Sequence, residues 1–260
     1  MEQAGSGSAN IGEGKKIFLL YPHSVIHDEM IDILIMNGFE TYILRDHKKA
    51  LHILKKFPAS IMFVNIDERM SEKEWEEYIN GILKNPETRD TRLGILSYNQ
   101  DKRLMEKYLM RMALPCGYIQ LKLGVQESTK IIVNALEANE ARGRRKFIRA
   151  ICEDDPYTTM NYKSPDGFFQ GKILDISSAG IAARITGFFD YPPNSVLKEV
   201  QLKLRGALVM SNMILMGKRK DDLDVQILVF DPVHMNPDYK LVIHHYIKLC
   251  LQKYIDSLRV

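Results

Sequence analysis

The 260-residue sequence is poor in the residues that mark extracellular, metal-binding and membrane proteins. It has only three cysteines, which are widely spaced: Cys116, Cys152 and Cys250. Because no CxxC pair occurs, neither a structural zinc site nor a disulfide framework is indicated, and we expect buried thiols. No run approaches the roughly 20 apolar residues of a membrane span, and residues 1–14 lack the apolar core of a signal peptide. We therefore expect a cytoplasmic protein with no metal, no cofactor and no transmembrane segment.

The net charge is also small, which argues against nucleic acid as a partner. A formal net charge of +3 is too small to indicate bulk binding to nucleic acid, so no DNA partner is expected. The length favours two domains of roughly 100 to 150 residues each. We predict a flexible N-terminus at 1–14, a first domain at 15–125, a linker helix and basic hinge at 126–144, and a second domain at 145–260. The sequence does not indicate an oligomeric state.

Short apolar runs alternate with segments of helical spacing through the first half. Strands are predicted at 16–21, 39–44, 60–65, 93–97 and 117–121, and helices at 24–37, 46–57, from 71, at 102–112 and at 127–141. Asp46 is a plausible N-cap, and Ser71 opens an SEKE capping box. Strands that are nearly continuously apolar predict a parallel sheet that is covered on both faces.

This layout resembles the receiver domain of bacterial response regulators, an α/β flavodoxin-like fold with five parallel strands. The family binds magnesium with acidic residues after strand one and phosphorylates an aspartate that ends strand three. Here strand one ends in Tyr21-Pro22-His23, strand three ends at Asn65, and Ser97 could match the family's switch hydroxyl. An amide cannot accept a phosphoryl group, and Asp67 is an acceptor only if the register shifts. We interpret this half as a pseudo-receiver that contacts an unidentified bacterial protein partner.

A dense basic cluster follows the last of these helices, at 142–149. We expect that helix to be packed at its start and to project at its end. Taken alone, the cluster is typical of a solvated face, a nonspecific phosphate patch or a membrane-surface patch. Phe147 and Ile148 place its arginines beside apolar anchors, which favours a segment held against a domain.

The second half changes from helical spacing to short β segments that are separated by turns. Strands are predicted at 168–175, 180–185, 196–204, 208–216 and 224–230, with a final helix at 237–258. The segment 154–166 is interpreted as an acidic, turn-rich insertion that could cap or compete with the basic cluster. Strands followed by one helix predict an antiparallel barrel or sandwich with a C-terminal helix.

Two motifs in this half occur together and in a defined order. They are RxxxR, at Arg145-Lys-Phe-Ile-Arg149, and DxSxxG, at Asp175-Ile-Ser-Ser-Ala-Gly180. Over 145–260 the chain thereby resembles PilZ domains, antiparallel barrels that bind the bacterial second messenger cyclic di-GMP. The resemblance implies a ligand site formed by Arg144, Arg145, Arg149, Asp175, Ser177 and Gly180. An arginine at position 144 is similar to members that bind two intercalated ligand molecules.

The chemistry of these residue types suits such a ligand. An arginine fork matches phosphate oxygens or the acceptor edge of guanine. The Asp175 carboxylate suits the guanine donor edge, and Ser177 offers a short hydroxyl. Gly180 would permit a positive φ or a close approach of the ligand. The alternative for Asp175 and Ser177 is a simple turn between strands. We regard Arg142, Lys146, Lys218 and Arg219 as weaker candidates, since such charges are more often solvated.

We therefore predict a cyclic di-GMP receptor in which ligand binding orders 142–149, reorients the two domains and controls a partner protein. One alternative is a PilZ-like adaptor that acts through protein contacts without a nucleotide. Another is a phosphorylated response regulator with a DNA-binding output, which the missing acidic residues and the β-rich second half disfavour. We expect no enzyme, because the sequence contains no catalytic triad, metal-ligand set or Gly-rich phosphate loop.

Overall fold

A computed structural model of the protein describes residues 14–24, 27–165, 167–187 and 189–258. Contacts divide the chain into two compact units, with the division between Lys146 and Phe147. The predicted flexible segment 1–14 lies outside the described residues, except for Gly14.

The first unit is a five-stranded parallel sheet with helices between its strands. The strands are β1 (Ile17–Leu20), β2 (Thr41–Leu44), β3 (Ile61–Asn65), β4 (Arg92–Ser97) and β5 (Tyr118–Gln120). The helices are α1 (His27–Met36), α2 (His47–Lys56), α3 (Glu72–Lys84), α4 (Lys102–Glu106) and α5 (Val125–Ala138). The strand order β2-β1-β3-β4-β5 is the flavodoxin-like order, so the predicted fold class is confirmed. Every residue of β1, β2 and β3 is buried, as expected for strands covered on both faces.

Local capping chemistry fixes where two of these helices begin. The Asp46 carboxylate accepts hydrogen bonds from the backbone amides of Lys48 and Lys49 at 2.7 and 3.0 Å. Ser71 and Glu74 form the reciprocal capping box at the start of α3. Both predicted N-caps are therefore confirmed. The helix predicted at 102–112 is instead a short α4 that continues as a π-helical turn, Lys107–Arg111.

The end of α5 corrects one expectation, because it does not project from the first unit. The helix ends at Ala138, and the residues that follow it are held by hydrogen bonds to other parts of the first unit. Asn139 is buried and its carbonyl accepts a hydrogen bond from Arg92 Nη1 at 3.0 Å. Ala141 is also buried, and its carbonyl accepts from the Lys15 amide at 2.9 Å. These hydrogen bonds join residues that are far apart in the sequence, so helical spacing alone could not predict them.

The second unit is an antiparallel barrel with one long helix. Its elements are β6 (Ala150–Ile151), β7 (Thr158–Ser164), β8 (Gly167–Ser177), β9 (Gly180–Thr186), β10 (Val196–Leu204), β11 (Ala207–Lys218), β12 (Val225–Phe230) and α6 (Pro237–Ser257). The pairing β8-β7-β10-β11-β12-β9 returns from β9 to β8 and closes the barrel. The short β6 pairs with β8 beyond the end of β7. The predicted barrel and C-terminal helix are therefore confirmed.

The segment 154–166 was expected to be a turn-rich insertion, and that prediction is wrong. It contains β7, whose Thr158, Met160 and Tyr162 are buried alternately toward the barrel interior. The buried acid at its start, Asp155, pairs with Arg205 Nε at 2.7 Å, a residue outside the basic cluster. The period-two pattern was hard to recognise because a polar residue, Thr158, occupies one of its three buried positions.

The helix α6 packs through one face, on which Ile243, Ile247 and Ile255 are buried. In the described part of the chain, no helix combines the length and apolar character needed to cross a bilayer.

Candidate ligand-binding site

The pairing of β6 with β8 brings the end of one motif to the start of the other. Ala150 lies opposite Ile176, and Ile151 lies opposite Asp175. Arg149 directly precedes β6, and its Nη1 atom lies 4.0 Å from Oδ1 of Asp175. The last arginine of RxxxR and the first residue of DxSxxG are therefore neighbours in the second unit.

Asp175 also contacts Arg219, which the sequence marked only as a weaker candidate. Arg219 Nη2 donates to Oδ2 of Asp175 in a close ion pair, and the residue carrying that carboxylate is only 7% exposed. The backbone amide of Arg219 donates to the Val225 carbonyl at 2.8 Å, which holds the arginine beside the start of β12. The interpretation of Arg219 as a solvated charge is thus wrong. Its charge alone made it no more than a weaker candidate, because the contact with Asp175 depends on strands far apart in the chain.

Ser177 lies in the tight connection between β8 and β9, where Ser177 and Gly180 are opposite residues. Its Oγ accepts a hydrogen bond from the Ala179 amide at 3.2 Å and donates to the Gly180 carbonyl at 3.3 Å. These contacts are those of a serine that stabilises a turn. A role in contacting ligand remains a prediction.

Gly180 is required by the barrel for a reason other than the positive φ considered above. It is not among the described glycines with positive φ. A Cβ atom at this position would lie 2.1 Å from the Leu228 carbonyl oxygen and 2.8 Å from Val229 Cα. Because β9 pairs with β12 here, only glycine permits the two backbones to approach so closely.

Arg144 and Arg145 belong to the end of the first unit, and both are exposed. Their contribution to the same site as Asp175 stays a prediction. Arg142, by contrast, is engaged within its own unit. Its guanidinium donates to Glu137 Oε1 at 2.8 Å and to the Asn37 carbonyl at 2.7 Å.

The carboxyl edge of the parallel sheet, where a receiver domain would be phosphorylated, carries a closed polar network. Asn65 is fully buried; its Nδ2 donates to the Tyr21 carbonyl at 2.9 Å and its Oδ1 accepts from the Asp67 amide at 3.0 Å. The Ser97 hydroxyl donates to Oδ1 of Asp67, and the Tyr98 amide donates to Oδ2 at 2.7 Å. Both oxygens of the Asp67 carboxylate are therefore occupied by the segment at the end of β4.

Comparison with known proteins gives structural similarity only. No family model matches the chain, and no curated protein matches it. The PilZ domain with c-di-GMP of YcgR from Escherichia coli is similar at 13% identity and a TM-score of 0.36, covering 44% of this chain and 99% of that one.

Two other structures match about half of their own length. The K. pneumonia MrkH–c-di-GMP complex is 18% identical with a TM-score of 0.34, covering 40% of this chain and 51% of that one. The Bacillus subtilis inhibitor of motility MotI/DgrA is 12% identical with a TM-score of 0.34, covering 44% and 53%.

Proposed function

We propose that this chain is a receptor for cyclic di-GMP, with a PilZ-type domain as its second unit. The observation that supports this most directly is the pairing of β6 with β8, which places Arg149 4.0 Å from Asp175. Two motifs that are separate in sequence thus present a basic and an acidic side chain at one position. That combination suits a ligand that carries both phosphates and guanines.

The chemistry of each group supports the assignment. Cyclic di-GMP has two phosphate charges and two guanines, each with an acceptor edge and a donor edge. The side chain of Arg149 is 41% exposed, so its fork is accessible to phosphate oxygens or to guanine N7 and O6. Arg144 and Arg145 are exposed as well and add two further forks. The Asp175 carboxylate can accept from guanine N1 and N2.

The position of the basic segment 142–149 supports a role in coupling ligand binding to reorientation of the two units. It joins the two units in sequence, and its first arginine is bound to Glu137 in the first unit while its last lies beside Asp175 in the second. Ligand that neutralises the arginines between them would order this segment and change the freedom of the units to reorient. We infer that this change controls a bacterial protein partner of the pseudo-receiver.

Isothermal titration calorimetry of the full chain with cyclic di-GMP tests the receptor assignment, with GTP and cyclic di-AMP as competing nucleotides. Selective binding of cyclic di-GMP is expected. Since each charge-assisted hydrogen bond contributes about 1.5–3 kcal/mol, Arg145→Ala and Arg149→Ala should each weaken binding about tenfold or more. The matched control is Arg142→Gln, which removes a charge from the same segment but from an arginine already bound to Glu137.

The outcomes separate the alternatives. Unchanged affinity in both alanine variants, or an equal loss in Arg142→Gln, would contradict the site. A stoichiometry of two that falls to one in Arg144→Ala would support binding of a ligand pair. Absence of heat with the wild-type protein would favour the adaptor that acts through protein contacts alone.

A further inference from the structure

A cavity of about 260 Å³ lies at the carboxyl edge of the parallel sheet, within the first unit. Its walls come from β2 and from the segments that follow β1, β2 and β3. They include Tyr21, Ser24, Ile43, Arg45, Glu68 and Arg69. In a sheet of order 2-1-3-4-5, the strand order reverses between β1 and β3. Ligands of such folds bind in the crevice beyond the carboxyl ends at that point. The cavity therefore occupies the ligand-binding position of the fold.

Two cations line the cavity, and neither is paired with a carboxylate in the described part of the chain. Arg45 and Arg69 are exposed, and neither guanidinium forms an ion pair with a described residue. Glu68 is the one acidic residue among the described lining residues, and it too forms no ion pair with them. The Asp46 carboxylate beside Arg45 is used as the N-cap of α2. The described walls thus present two arginine forks without an ion-pair partner and a single carboxylate.

The wall is also fixed in an uncommon backbone geometry. Tyr21 has φ 51° and Arg69 has φ 75°, both in the left-handed region that favours glycine. Non-glycine residues in this region are strained and cluster at binding sites, where the surrounding structure holds them. The Arg69 guanidinium carbon lies 5.5 Å from the centre of the Tyr21 ring, and the Tyr21 hydroxyl lies 3.0 Å from His47 Nδ1. These contacts orient one of the two arginines before any ligand arrives.

We propose that this cavity binds a small phosphate-bearing molecule through Arg45 and Arg69. Paired guanidinium forks match the oxygens of a phosphate group. Glu68 would accept a hydrogen bond from a hydroxyl or amine elsewhere on the ligand. The edge suits an anion better than a metal ion, because Asn65 is an amide and both oxygens of Asp67 already accept hydrogen bonds. This site lies in the other unit from Asp175 and does not depend on binding of cyclic di-GMP.

The fluorescence of Trp75 can report binding to this cavity. Trp75 is the only tryptophan, it is fully buried, and its ring centroid lies 6.1 Å from that of Tyr21. The full-length protein is titrated with sodium pyrophosphate at constant ionic strength while Trp75 fluorescence is recorded, and citrate is titrated as a carboxylate anion of similar charge. We expect a saturable change with pyrophosphate and none with citrate.

Variants then assign the binding to the cavity. Arg45→Gln and Arg69→Gln should each weaken the pyrophosphate response about tenfold, as expected for loss of one charge-assisted contact. Arg89→Gln, at an exposed arginine of the same unit outside the cavity lining, should leave it unchanged. Because Arg69 has a strained backbone, the thermal unfolding of each variant is measured first. Arg45→Gln alone decides the outcome if Arg69→Gln unfolds.

A wild-type titration without a saturable change would overturn the proposal. So would an equal loss in Arg89→Gln, or tighter binding of citrate than of pyrophosphate. Binding to the basic segment is separated by the double variant Arg145→Ala, Arg149→Ala, which should retain the full fluorescence response. Loss of the response in that variant would place the anion at the basic segment and overturn the cavity assignment.

Discussion

Arg219 and Arg149 approach the Asp175 carboxylate at different oxygens: Arg219 is bound to Oδ2, and Arg149 lies 4.0 Å from Oδ1. A buried carboxylate is thus shared between a strong partner within the barrel and a looser one in the segment that precedes β6. Arg219 orients the acid, while Arg149 remains accessible to a ligand.

Replacement of Arg219 by glutamine should destabilise the second unit. The buried Asp175 would lose its closest partner, and a buried charged acceptor left without its bond costs about 1–3 kcal/mol. The free energy of unfolding in urea, followed by circular dichroism, measures the effect. Lys220→Gln, an exposed cation one position away, is the matched control and should change stability by less than about 0.5 kcal/mol. Equal losses in the two variants would show that the Arg219–Asp175 pair contributes nothing specific.

A second arginine pair stabilises the same unit at another place. Arg205 Nε donates to Oδ2 of Asp155 at 2.7 Å, and Asp155 is 4% exposed. Arg205→Gln should cost about 1–3 kcal/mol, again because a buried acceptor loses its donor. Arg184→Gln breaks a pair of equal kind, Arg184–Asp222 at 2.6 Å, but both of those side chains are well exposed, so a much smaller loss is expected.

The Arg205–Asp155 pair also predicts how stability depends on pH. Burial raises the pKa of Asp155, but hydrogen bonds from Arg205 and the Tyr157 amide outweigh it, and the net pKa lies below the usual value. A carboxyl whose pKa is lowered on folding stabilises the fold above its unfolded pKa, and that contribution is lost as pH falls through the folded pKa. The stability difference between wild type and Arg205→Gln should therefore be constant from pH 7 to about pH 5 and shrink as the pH falls below about 4, the ordinary pKa of an aspartate. A difference that stays constant below about pH 4 as well would rule out this linkage.

Asn65 cannot be converted into a phosphorylation site by restoring an acid. In Asn65→Asp the side chain loses the donor that binds the Tyr21 carbonyl and buries a charge beside that oxygen. We expect a loss of about 1–3 kcal/mol in the first unit, read from Trp75 fluorescence in urea, and no transfer of phosphate from acetyl phosphate. Asn85→Asp is the control, because the Asn85 side chain accepts a hydrogen bond from the Glu87 amide at 2.9 Å, and a carboxylate accepts the same bond. Stable phosphorylation of the Asn65→Asp protein would contradict the prediction.

The Gly180 position should tolerate no side chain, whether or not a ligand is present. A Cβ there would lie 2.1 Å from the Leu228 carbonyl oxygen, so Gly180→Ala must displace β9 or β12, at a cost of about 1–3 kcal/mol. Gly206→Ala is the matched control, since no heavy atom lies within 4 Å of its Cβ position. Thermal unfolding of the two variants without ligand measures the difference. If Gly180→Ala is as stable as Gly206→Ala, the glycine is there for the ligand alone.

Much of the fold could be predicted from local pattern. The parallel strands of the first unit were recognisable because β1 is apolar throughout and β3 is apolar up to its last residue, Asn65. Asp46 and Ser71 mark helix starts by side-chain chemistry that acts within three residues. The barrel was recognisable from turns between short strands. In each case the physical cause lies within a few residues of its effect.

The parts that could not be predicted depend on contacts between distant segments. The Arg219–Asp175 pair needs β8 and the end of β11 to be brought together, and sequence spacing does not report this. The anchoring of Asn139 by Arg92 is of the same kind. For the candidate site, the two motifs predicted one ligand site; the structure places Arg149 4.0 Å from Asp175, and their binding of ligand stays a prediction. The packing reason for Gly180 could not be predicted, because it required the position of Leu228.

The two-residue strand β6 has one more consequence, for the solubility of the protein. Ala150–Ile151 covers the edge of β8 beyond the first residues of β7, where β7 no longer pairs with it. The Cys152 amide extends this cover with a hydrogen bond to the Leu174 carbonyl at 2.9 Å. If this cover lifts, the amides and carbonyls of an open strand edge become available to another chain, which is how β proteins aggregate. Because Arg149 immediately precedes the covering strand, anything that holds this arginine in place also protects the barrel against aggregation.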